Sequence, residues 1–256
     1  NQWWVWWDGK YDMTTGDFDD DNDIDAAVIY GADTDGNADN NAERIRVTGV
    51  YYNAGSLSQT ILDQATPAIT WTWGFIKAAD MDEDGFTDLV FTRMGTTVHI
   101  MWNSAGTFDT SLLIATFDQP ASTTRVPHAL DVGHFAGGEW LDIIISTNEA
   151  PQYKNIDGNI WMIRQLTGSG GGRNTFSSLE VAYGEANHYA FRGFTVCRLS
   201  NETTYHGDDV ITFTKKDSNA PGDGSDVIDT FGITSLKSQT FSPKKLALIK
   251  YYDENF

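Results

Sequence analysis

The chain has 256 residues, 40% of them hydrophobic and 13% aromatic, so it carries apolar surface enough for one large domain or two smaller ones and is not a disordered tail. A formal charge of −19, from 36 acidic and 17 basic residues, repels phosphate backbones and anionic membrane surfaces and argues against nucleic acid as a partner. No apolar run reaches the roughly 18 residues that a spanning helix needs, so no membrane insertion is expected.

The chain begins at Asn1 without an initiator Met, as a processed export product or an excised fragment would. Its first eight residues hold Trp3, Trp4, Trp6 and Trp7, and Trp71 and Trp73 stand in a related place farther on. Exposed indoles would stack on sugar faces or anchor a protein interface. Alternation of strand faces offers a second reading, with Trp4 and Trp6 lining one core and Trp3 and Trp7 covering the other face, and this packing reading is the simpler.

The next feature is acidic. Residues 17–25 place Asp17, Asp19 and Asp21 at alternating positions, then Asp23 and Asp25, and an apolar run follows over 26–30. Residues 80–88 repeat the pattern without a gap: Asp80, Asp82, Asp84, Phe86 and Asp88, then an apolar run over 89–91. A third copy over 133–142 keeps the glycine, the aromatic, the final Asp142 and the strand, but has His134, Ala136 and Gly138 where acids stood, so no metal is expected there. A fourth, faint copy runs from 196–199 to Asp209. The closing aspartates 25, 88, 142 and 209 lie 63, 54 and 67 residues apart.

Around these loops, short β-branched and aromatic runs punctuated by Gly, Asn, Asp and Ser predict four strands per period. In the second period they fall at 75–79, 88–92, 97–102 and 111–117; in the third at 128–132, 142–146, 159–165 and 178–183, with the glycine-rich run 168–172 read as a hairpin tip. No amphipathic helix of ordinary length is evident. The expected fold is all-β, a β-propeller of about four four-stranded repeats of roughly 60 residues, closed with four blades or forming part of a larger ring. It would be a single domain over 1–256, with repeats near 9–66, 67–121, 122–186 and 187–256. A two-layer sandwich is the competing architecture, and the regular placement of one acidic loop between first and second strands favours the propeller.

Alternating carboxylates in a tight loop suit calcium, which takes about six to eight oxygens in flexible geometry. The expected ligands are Asp17, Asp19, Asp21, the carbonyl of Asp23 and Asp25 in the first loop, and Asp80, Asp82, Asp84, the carbonyl of Phe86 and Asp88 in the second, for about two ions. The turn at position 6 needs positive φ, and Asn22 and Gly85 stand there, the two residue types that bear it most readily. An EF-hand would need a Glu at position 12, where Val28 and Phe91 stand instead. So many carboxylates in nine residues repel one another strongly unless a cation sits among them.

The strings GDFDDDNDIDAAVIYG and AADMDEDGFTDLVFTR resemble the FG-GAP or VCBS-type repeats of the integrin α-subunit head, of mushroom propeller lectins and of many secreted bacterial adhesion and polysaccharide-handling proteins. The resemblance implies calcium ligation by the positions just named, and a secreted or cell-surface setting. The expected role is a recognition or adhesion module for an extracellular glycan or protein. Alternatives are a structural subunit of a filament, sheath or adhesin that self-assembles, and a domain of a secreted polysaccharide-degrading enzyme.

No catalytic set is recognised. His99, His128, His134, His188 and His206 lack zinc-ligand spacing, and no nucleophile elbow or phosphate-binding glycine loop occurs. Cys197 stands alone, so no intrachain disulfide is possible, and its strand-like context suggests a buried position. Asn201-Glu202-Thr203 is a glycosylation sequon, meaningful in a eukaryotic source.

Overall fold

The computed structural model describes residues 12–32, 44–65, 74–93, 97–116, 125–134, 140–149, 159–166, 173, 175–178, 180–184, 189–197, 209–216, 230–235 and 244–247. Among them there is no helix, hence none long and apolar enough to cross a membrane. The strands form four four-stranded antiparallel sheets, each an up-and-down meander in chain order, as the repeat predicted.

The first sheet comprises β1 (Asp12–Gly16), β2 (Asp25–Ala32), β3 (Arg44–Asn53) and β4 (Ser56–Ala65). The second comprises β5 (Ile76–Ala79), β6 (Asp88–Arg93), β7 (Thr97–Met101) and, after a short hairpin, β10 (Leu112–Thr116). That hairpin is β8 (Asn103–Ser104) paired with β9 (Thr107–Phe108). The third sheet is β11 (Arg125–Gly133), β12 (Asp142–Glu149), β13 (Asn159–Ile163) and β14 (Glu180–Gly184). The fourth is β15 (Tyr189–Cys197), β16 (Asp209–Lys216), β17 (Thr230–Ser235) and β18 (Lys244–Ala247). Cys197 thus ends a strand, as its context suggested.

Two compact units result: residues 1–118 with 171–174, and 119–170 with 175–256. In the first, the edge strands β1 and β5 are tied by the Ile76 N–H on Asp12 Oδ2 (3.1 Å) and the Ala78 N–H on Thr14 Oγ1 (3.0 Å). Its core lies where the two sheets meet: Ala27 and Ile29 of β2, Ile45 and Val47 of β3, Ile76 of β5, and Leu89 and Phe91 of β6. All are nearly or fully removed from water, at about 25 cal/mol for each Å² of apolar surface buried. Phe18, from the first acidic loop, plugs the same core, and Met81, its counterpart in the second loop, is equally inaccessible.

In the second unit, Ile143, Ile144 and Ile145 of β12 are all buried, with Leu130 and Ile163 buried on the strands to either side. This continuous apolar run is what a central strand covered on both faces requires. Beyond β13, Gln165 bridges Phe176, the Leu166 N–H binds the Thr175 carbonyl and the Ser177 N–H binds the Arg164 carbonyl. The flanks of the glycine-rich run therefore pair as a hairpin would; residues 168–172 themselves lie outside those described.

A candidate metal centre in two acidic loops

Each acidic segment forms the connection between the first and second strand of its sheet, β1 to β2 and β5 to β6. The side chain at position 1 folds the loop over itself. Asp17 accepts the N–H groups of Asp21 (3.2 Å) and Asn22 (2.9 Å), and Asp80 accepts those of Asp84 (3.1 Å) and Gly85 (2.9 Å). At position 5, Asp21 accepts the Asp23 N–H (2.9 Å) and Asp84 the Phe86 N–H (3.0 Å). The position 7 residues, expected to offer carbonyls, are thus held by their own N–H groups.

Backbone conformation follows the predicted turn. Asn22 has φ of 69° and Gly85 of 94°. Position 4 is also left-handed, with Asp20 at 60° and Glu83 at 58°, which the residue types did not announce, since Glu has no special tolerance for that region.

Position 9 does more than close the loop. Asp25 is 2% exposed and accepts the Phe18 N–H (3.0 Å) and the Tyr52 N–H (2.9 Å). Asp88 is fully buried and accepts the Met81 N–H (2.9 Å) and the Asn103 N–H (2.8 Å). Asp25 thereby staples its loop to the end of β3, and Asp88 staples its loop to the start of the β8–β9 hairpin that follows β7. In the second unit, buried Asp142 accepts the Gln165 N–H at 3.3 Å, so the staple persists where the acidic ligands have gone.

Carboxylates converge in both loops. Asp17, Asp19 and Asp21 bring one oxygen each within 4.8 Å of one another, as do Asp80, Asp82 and Asp88. Of the eight expected carboxylate ligands, leaving aside Asp23 and Phe86 as carbonyl donors, six form two groups able to hold a metal ion, while the side chains of Asp25 and Asp84 lie outside those groups. Among the described residues, Asp19 Oδ1 and Asp82 Oδ1 are buried atoms with no hydrogen-bond partner, and the Asp82 side chain is only 8% exposed. A buried, unpaired carboxylate oxygen is costly, and a hard cation is the partner that a cluster of oxygens fits.

The electrostatics agree. Burial pushes the Asp88 carboxyl up to about 7, against the N–H groups of Asn103 and Met81, with Asp82 and Asp84 adding repulsion. Burial likewise raises Asp82, although the Arg173 guanidinium works the other way. A divalent ion among these groups reverses the sign of that local field.

Three residues that the loop pattern did not identify complete the site. Asn103, 1% exposed, donates its side-chain amide to the Phe18 carbonyl of the first loop (3.0 Å) and the Thr87 carbonyl of the second (3.2 Å), and accepts the Gly106 N–H (3.1 Å). Its hairpin turns at Ala105-Gly106, both at positive φ, and rests on the first loop, where Phe108 meets the Phe18 ring edge-on at 5.8 Å. Ala54-Gly55 makes the matching two-residue turn between β3 and β4, and Asn53 there donates to Asp19 Oδ2 (3.0 Å). The recurrent Ala-Gly pair was the available signal. Arg173 pairs with Asp82 and Asp84, and nothing in its glycine-rich surroundings indicates that partner.

Trp3, Trp4, Trp6, Trp7, Trp71 and Trp73 lie outside the described residues, as do Asn201 and residues 135–139 of the third acidic-loop counterpart. His99 is a core residue, 7% exposed and stacked on Phe91 at 5.6 Å. Comparison with protein-family models and with curated protein sequences finds no match.

Proposed function

We propose that the chain is a calcium-stabilised repeat protein of the FG-GAP/VCBS type, a propeller whose four meander sheets are blades, acting outside the cell as a recognition or adhesion module for a glycan or protein. The single observation that supports it most is the duplicated loop: the same hydrogen bonds recur 63 residues apart, around carboxylates that converge on a common centre. Oxygen-only donors with several carboxylates suit calcium better than zinc or copper, which favour imidazole or thiolate. Asp17, Asp19 and Asp21 would hold one ion and Asp80, Asp82 and Asp88 the other; the metal supplies charge neutralisation that locks each turn, and no reaction is assigned to it.

The twofold excess of acidic over basic residues favours a neutral glycan or a protein over a polyanion as the ligand. Calorimetric titration tests the metal reading: about two calcium ions should bind, and melting should rise in calcium relative to chelator. Equal melting temperatures in both conditions would remove it. A glycan array together with affinity capture from secreted proteins tests recognition, and silence in both would remove that part alone.

A further inference from the structure

The two loops share a fold but differ in what stands over them. In the first, the outer oxygen of Asp19 is held by the neutral side-chain amide of Asn53. In the second, the corresponding oxygen of Asp82 is held by the Arg173 guanidinium, which also takes Asp84 Oδ2. Arg173 is not a chance surface contact: Nη1 donates to Ser104 Oγ at 2.8 Å, Nη2 reaches the Asn103 carbonyl at 3.4 Å, and the guanidinium carbon lies 5.8 Å from the Trp102 ring centroid. Two carboxylates, two further acceptors and an indole face form a guanidinium socket.

The loops differ also in which carboxylates converge, with Asp25 outside the first group and its counterpart Asp88 inside the second. Asp21 belongs to the converged group of the first loop. Its counterpart Asp84 is absent from that of the second, and it is the residue whose Oδ2 the guanidinium takes. An ion entering the second loop with a full oxygen shell has to recover Asp84 and share Asp82, and both acts cost contacts to Arg173. A positive guanidinium beside the ion opposes it electrostatically as well.

We infer that Arg173 is a built-in counter-cation of the second loop, competing with the metal there, so that the first loop fills at lower calcium than the second. This rests on the metal reading of the two loops. By linkage the competition is reciprocal: an ion in the second loop displaces the guanidinium.

Calcium titration of the full chain, wild type and Arg173→Gln, tests it, with Asp19→Asn marking the first loop. The wild type should show a tight and a weak site, and Arg173→Gln should strengthen the weak site about tenfold, within the range of ordinary coupling, leaving the tight one unchanged. Asp19→Asn should abolish the tight site without erasing the arginine effect. A weak site unchanged or weakened in Arg173→Gln overturns the competition while leaving the metal reading intact; no binding in any form overturns both. Should Arg173→Gln fail to fold, the side-chain Nε–H resonance of Arg173 in the wild type serves instead. It should move with the second equivalent of calcium, and a signal constant through both equivalents contradicts the inference.

Discussion

Replacing Asn103 by Ala probes the element that joins the two acidic loops. The side chain is 1% exposed and makes three hydrogen bonds, to the carbonyls of Phe18 and Thr87 and from the N–H of Gly106. Each such bond contributes about 1 kcal/mol net, and a buried partner left unsatisfied costs about 1–3 kcal/mol. Some of the exposed groups relax toward water, so Asn103→Ala should destabilise the first unit by about 2–4 kcal/mol. Asn103→Asp should cost more, although it is nearly isosteric. It keeps the acceptor for Gly106 but sets a carboxylate against two carbonyls, on the residue whose own N–H binds Asp88. Urea denaturation followed by tryptophan fluorescence, in calcium and in chelator, measures both. Because Phe18 belongs to one loop and Thr87 to the other, calcium affinity should fall at both sites. A loss below about 0.5 kcal/mol in Asn103→Ala, or an Asp variant more stable than the Ala variant, would refute the reasoning.

Further outcomes follow from neighbouring residues. Burial, then the nearby Arg93 guanidinium, lower His99 to about 4, with Asp63 opposing, so the folded state takes up its proton less readily than the unfolded chain does. Stability from this residue is full above about pH 6.5 and is lost as pH falls toward 4, by up to about 3 kcal/mol. The stability difference between wild type and His99→Leu should therefore change across that window; a constant difference contradicts it. At Gly85, φ is 94° and no atom stands within 4 Å of where a Cβ would lie, so the strain of a substitution there is purely of the backbone. Gly85→Asn should be mild and Gly85→Val should cost about 1 kcal/mol or more in thermal melts, and equal costs would deny the left-handed turn. Asp88, raised to about 7, has to lose its proton before it can ligate an ion. Calcium affinity at the second loop should fall as pH drops below 7, with proton release seen by calorimetry in buffers of different ionisation enthalpy; binding without pH dependence would speak against ligation by Asp88.

Strand positions were legible where apolar β-branched runs met Gly or Asp. The predicted strands at 75–79, 88–92, 97–102 and 111–117 fall on β5, β6, β7 and β10 within about two residues, the usual uncertainty of strand ends. The acidic loops were legible as well, since alternating Asp with Asn22 or Gly85 at the turn is a local pattern and local hydrogen bonds realise it. What escaped was non-local. Asp25 and Asp88 read as ligands, but their stapling bonds to Tyr52 and Asn103 depend on strand pairing that no nine-residue window contains. Asn103 contacts Phe18 across 85 residues and Arg173 contacts Asp82 across 91, so neither partner can be inferred from spacing. The hairpin turns at Ala54-Gly55 and Ala105-Gly106 were missed because Asn-Gly or Asp-Gly is the stronger turn signal, and Ala at positive φ is uncommon.

An anomalous difference map from crystals soaked in calcium or a lanthanide stand-in tests the proposed metal centres most directly. Two peaks are predicted, one ringed by Asp17, Asp19 and Asp21 and one by Asp80, Asp82 and Asp88. Well-ordered loops around two empty centres would contradict it.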